Sequence, residues 1–137
     1  MSAWKRIALE KLPEYRGVID AADNPMALWI ELHLKFEDAY RAEIPTDDLV
    51  RRFFDYARWC RQSPGEGGHL SDAGTAAVCA FYEHLPKHAG IRRDLPRWLT
   101  RAEFFDLREA FRYHLSEQEF ADFEAEFLGT SQRGGRR

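Results

Sequence analysis

The sequence predicts an all-α protein, one domain of five to seven helices packed as a compact, mostly antiparallel bundle. Three observations predict it. Apolar residues recur at spacings of three and four through most of the chain, as one face of a helix requires. No stretch combines strict apolar–polar alternation with hairpin turn residues. Helix start and stop residues recur along the chain and leave short connections between them. With 137 residues, 45% of them hydrophobic and 31% charged, the chain is of ordinary size for one globular domain. A chain of this length buries roughly two-thirds of the surface its unfolded form exposes, so it needs no disulfide or metal to hold a core.

Ser2 is placed to cap a first helix on which Trp4, Ile7, Ala8 and Leu12 share one side, and Pro13 discourages its continuation. Glu14 to Ala22 follows as a poorer helix, interrupted by Gly17. Asn24-Pro25 is a strong start, since Asn accepts an orphan amide and Pro at the first helical position surrenders a donor that has no partner anyway. The helix it opens should run to about Glu43. Met26, Trp29, His33, Phe36 and Tyr40 form its core face, with Glu31, Lys35 and Asp38 opposite. Ile44-Pro45 breaks the pattern, Thr46 caps again, and Asp47 and Asp48 suit the positive end of the next helix dipole. Val50, Phe53, Ala57 and Cys60 make its stripe.

From Ser63 to His69, Pro64, Gly65, Gly67 and Gly68 make a flexible connection. Ser71 then opens a helix of small residues, Ala73, Gly74, Ala76, Ala77 and Ala80 beside Val78, Phe81 and Leu85, expected to be the central, most buried one because neighbouring backbones can approach it closely. After Pro86 the segment to Arg97 contains Gly90 and Pro96 and reads as an ordered loop. Two last helices share one device. Leu99-Thr100-Arg101-Ala102-Glu103-Phe104 and Leu115-Ser116-Glu117-Gln118-Glu119-Phe120 each supply a capping box with a hydrophobic staple. Phe104, Leu107 and Phe111 line the first helix and Phe120, Phe123 and Phe127 the second, with Gly129 as its stop. The domain is therefore expected to span 1–129, followed by a flexible basic tail over 130–137.

A formal charge of −3 provides no global positive field, so nucleic acid is not an expected partner. The longest apolar run, Ala76 to Tyr82, is far short of a membrane span, and Lys5, Arg6 and Glu10 stand where a signal peptide would be apolar. A cytoplasmic protein is expected, with no membrane partner. Cys60 and Cys79 lie outside any CxxC pattern and read as buried free thiols. The two capping-box words also open many EF-hands, yet neither is followed by a calcium loop.

No G-x-S-x-G, P-loop or dinucleotide fingerprint is present, and no cofactor is implied. Among five histidines, His84 and His88 have helical spacing and stand as weak metal candidates, but Pro86 lies between them. His69, Cys79 or His114 would have to supply a third ligand in space. Glu83 with His84, and Tyr113 with His114, offer the residue types of an acid–base site without fixing its geometry. His33 on its apolar stripe reads as a hydrogen-bonded core histidine. Gly65-Glu66-Gly67-Gly68 before a helix start would cradle an anion only against the repulsion of Glu66 and Asp72.

The most informative feature is electrostatic. Between Lys87 and Arg101 lie Lys87, Arg92, Arg93, Arg97 and Arg101 against the single acid Asp94, with Trp98 among them. Between Glu117 and Leu128 lie Glu117, Glu119, Asp122, Glu124 and Glu126 and no base. Either these two stretches pair within the bundle, or each is an interaction surface. Arg beside Trp is what interface hot spots favour. Ten Phe, five Tyr and four Trp exceed what a small helical core needs for packing alone; Trp4, Trp59 and Trp98 first read as closing the rim of a Phe-rich core, and alternatively as exposed aromatics at a partner or groove site or a homodimer seam. The terminal Arg133-Gly134-Gly135-Arg136-Arg137 is a minimal RGG-like element, better suited to solubility.

From Tyr56-Ala57-Arg58-Trp59-Cys60, through Ala80-Phe81-Tyr82-Glu83-His84-Leu85-Pro86, to Asp94-Leu95-Pro96-Arg97-Trp98-Leu99, the wording resembles a family of small bacterial proteins of unknown function. The resemblance implies an all-helical cytosolic protein and adds no catalytic residue. The function expected is a non-enzymatic interaction domain, of adaptor or immunity type, binding an acidic protein through Arg92, Arg93, Arg97, Trp98 and Arg101. The alternative is a small-ligand or metal-dependent enzyme centred on Glu83, His84 and His88.

Overall fold

Five of the described helices begin where a side-chain oxygen meets an orphan amide. A computed structural model describes residues 1–42, 46–64 and 71–135, the stretch 130–135 as backbone only. Over these residues the chain forms α1 (Ala3–Lys11), α2 (Arg16–Ala21), α3 (Pro25–Arg41), α4 (Asp47–Gln62), α5 (Ala73–Ala80), α6 (Ala89–Trp98), α7 (Arg101–Asp106), α8 (Arg108–Arg112) and α9 (Glu117–Gly135). Two 3₁₀ turns, Pro13–Tyr15 and Tyr82–Lys87, complete it, with no strand among the described residues. The all-α class is as predicted. The helices outnumber the expected five to seven, because one unforeseen helix forms and a break at Leu107 divides a predicted one into α7 and α8.

The caps follow the sequence closely. The Asn24 side chain accepts from the Ala27 amide at 2.8 Å and Thr46 from Leu49 at 3.1 Å. Thr100 accepts from the Glu103 amide at 3.0 Å while Glu103 accepts from the Thr100 amide at 2.9 Å, and Ser116 and Glu119 repeat the exchange at 3.1 and 2.9 Å. Two starts differ. Ser2 precedes α1 without a side-chain cap bond, and Asp72 rather than Ser71 caps α5, accepting from the Thr75 amide. Thr100→Ala should lower stability by about 1 kcal/mol in urea unfolding, because the Glu103 amide loses its side-chain acceptor; an unchanged midpoint would deny the cap its role.

The chain divides into two compact units, Met1–Phe81 and Tyr82–Arg137. In the first unit α5 packs against both α3 and α4, and Ala76 and Ala77 are fully buried. A Cβ at Gly74 would stand 3.2 Å from the Cys60 carbonyl oxygen, so only glycine lets the two backbones come this close. Phe81, at the end of α5, has the rings of Trp29, Phe36 and Phe54 within 4.9, 5.1 and 5.4 Å. His33 is buried on the core face of α3 as expected, its Nε2 3.4 Å from the Glu37 carboxylate. The predicted end of α3 near Glu43, and the Ile44-Pro45 break, lie outside the described residues.

The core of the second unit is built on Phe104, whose ring lies 4.5 Å from Phe127 and 5.7 Å from both Phe111 and Phe123. Here the sequence reading needs two corrections. The segment after Pro86 is not a loop: Ile91 and Leu95 are buried one helical turn apart on α6, and Leu99 continues that face. Gly90 falls in the first turn, whereas Pro96 lies inside the helix, which runs two residues past it to Trp98 although proline has no amide to give the Arg92 carbonyl. Gly129 does not stop the last helix, which runs to Gly135 through part of the expected flexible tail. Glycine costs a helix interior only about 1 kcal/mol against alanine, and without the left-handed turn of a C-cap it ends nothing.

Candidate interaction surface

Because Lys87 to Arg101 is mostly helix, the arginines that sequence reading groups together point in different directions. Residues four apart share a helix face and neighbours diverge by about 100°. Arg92 therefore turns away from Arg93 and Arg97. Its guanidinium meets the Glu126 carboxylate of α9 at 2.9 and 3.0 Å and lies 5.4 Å from the Phe123 ring centroid. With its side chain only 23% exposed, Arg92 holds α6 to α9 and leaves the predicted binding set. Of the pairing weighed from the sequence, the basic and acidic stretches meet at Arg92 and Glu126.

Arg93, Arg97 and Arg101 are exposed. The Arg93 side chain is 75% exposed, with Asp94 3.4 Å away. Arg97 lies 5.0 Å from the centroid of half-buried Trp98, and Arg101 5.9 Å from that of Phe105. Phe105 itself is 46% exposed, one of few large apolar side chains so placed. Sequence reasoning assigned it to no role. The available signal was the helical wheel of α7, on which Phe104 takes the core position and Phe105, the next residue, must face elsewhere. Of the nearby acids, Glu103 is engaged by the Thr100 amide, Asp94 neighbours Arg93, and Asp106 is exposed. On α6 and on α7 a guanidinium thus stands beside an aromatic ring. Such groups make forked hydrogen bonds to carboxylates and bury large areas at low entropic cost.

Elsewhere in this unit Arg108 bonds Glu124 at 2.6 Å, which holds that carboxyl below its usual range. Arg108 and Arg112 lie 5.4 and 5.2 Å from the Phe120 ring centroid. Much of the acidic face of α9 is thereby matched inside the unit.

The histidines separate. His84 and His114 stack with centroids 4.7 Å apart, and His114 Nε2 is 3.3 Å from Glu83 Oε1. Tyr113 meets His114 edge-on at 5.0 Å. The carboxylate orients one imidazole, which is the chemistry of a proton-transfer pair. His88 departs from the predicted pair and caps α6, its Nδ1 accepting from the Ile91 amide at 3.4 Å. Among the described residues no three His, Cys, Asp or Glu side chains are arranged to hold a metal ion. His69, the Gly65–Gly68 loop, and Arg136 and Arg137 lie outside the described residues, as do the side chains of 130–135.

Cys60 is buried, accepting from the Trp29 indole N–H at 3.4 Å, and burial pushes its thiol up to about 11. Cys79, expected to be buried too, is half-exposed in a shallow groove beside Arg61 and Thr75. Trp4 and Trp59 are half-buried around a small cleft rather than exposed. Among the described residues no helix is long and apolar enough to cross a membrane. No protein-family model, curated protein or solved structure matches this chain, so the resemblance between Tyr56 and Leu99 stands on its wording alone.

Proposed function

We propose that this chain is a non-enzymatic interaction domain, an adaptor or immunity-type inhibitor, whose α6–α7 face binds an acidic protein. The observation carrying this reading is that Arg93, Arg97 and Arg101 lie exposed beside Trp98 and Phe105, while Arg92 is spent on Glu126. Three guanidiniums steer an acidic surface toward the site, and the aromatic rings supply area to bury once it arrives. The binding set is accordingly revised to Arg93, Arg97, Trp98, Arg101 and Phe105.

Capture from lysate of the source cells tests it. A triple Arg93, Arg97, Arg101→Glu variant with an unaltered thermal melt should lose the partner, weakening binding about a hundredfold or more at over 1 kcal/mol per hot-spot side chain. Added salt should weaken wild-type capture as well. Retention of the same partner by the folded variant would refute the assignment. A second reading, a small-ligand acid–base site, is favoured by the Glu83–His114 contact and the stacked His84. Its test is whether a metabolite mixture moves the imidazole resonances of His84 and His114; unmoved resonances would end it.

A further inference from the structure

We draw no further inference here: the strongest candidate, the apolar groove between α2 and α3 lined by Val18, Ala21 and Ile30, carries nothing because nothing in the structure shows what covers it.

Discussion

Phe81→Ala should cost about 3–5 kcal/mol of stability, the range for removing a buried aromatic ring. Its ring lies between 4.9 and 6.5 Å from those of Trp29, Phe36, Phe53 and Phe54 and is fully buried, so a void there faces four large side chains held by two helices, α3 and α4. The neighbours cannot collapse into it without leaving their own rotamers. Denaturant unfolding followed by tryptophan fluorescence reads the loss directly, since Trp29 is in contact with the site; a loss under about 1 kcal/mol would contradict the packing described. Phe105→Ala is the matching control. At 46% exposure its removal should stay within about 0.5 kcal/mol of wild type. A large apolar side chain that the fold barely uses is the kind an interface retains.

The two thiols should differ in reactivity by about a hundredfold or more at pH 8. Burial lifts the Cys60 thiol from its ordinary 9.0 to about 11, so its thiolate fraction falls by about two decades before steric access is counted. Cys79 is only partly buried and is expected to be the thiol that reacts first. A thiol assay of the native protein should therefore register one fast group, which Cys79→Ser removes and denaturant raises to two. Two fast groups in the native protein would contradict the burial of Cys60. The same shift predicts the alkaline limb of stability. Below pH 9 the thiol is protonated in both folded and unfolded chains and its contribution is constant. As pH rises from about 9 toward 11 the unfolded chain releases its proton first, so stability falls through that window. Tyr56, its hydroxyl also pushed upward by burial, acts in the same direction. The melting temperature should accordingly decline between pH 9 and 11.

Local chemistry made much of the fold readable. Asn24, Thr46, Thr100 and Ser116 cap where their sequence context indicates, because a cap is decided within four residues. The buried face of α3 and the small-residue α5 were equally legible, although Gly74 shows its purpose only once the Cys60 carbonyl is beside it. α6 was missed because Gly90 and Pro96 outweighed Ile91, Leu95 and Leu99, a period supplied by tertiary burial. That miss altered the site. Read as a loop, Arg92, Arg93 and Arg97 form one patch; read as a helix, Arg92 separates from the other two by a quarter turn and finds Glu126. Phe105 was legible in principle, since with Phe104 on the core face of its helix the next residue must face elsewhere. The His84–His114 stack joins residues thirty positions apart in sequence, and no local pattern announces it.

The central claim is that the α6–α7 face is where this protein meets a partner. The most direct measurement places the photoreactive residue p-benzoylphenylalanine at position 105, with a parallel variant at position 113, and irradiates each in lysate of the source cells. Tyr113 is 72% exposed and lies outside the proposed face, so it samples solvent in the same unit. The account predicts a discrete covalent adduct from position 105, absent at 113 and abolished by Arg93, Arg97, Arg101→Glu. An adduct from 113 alone, or one from 105 that survives reversal of the three arginines, would contradict it.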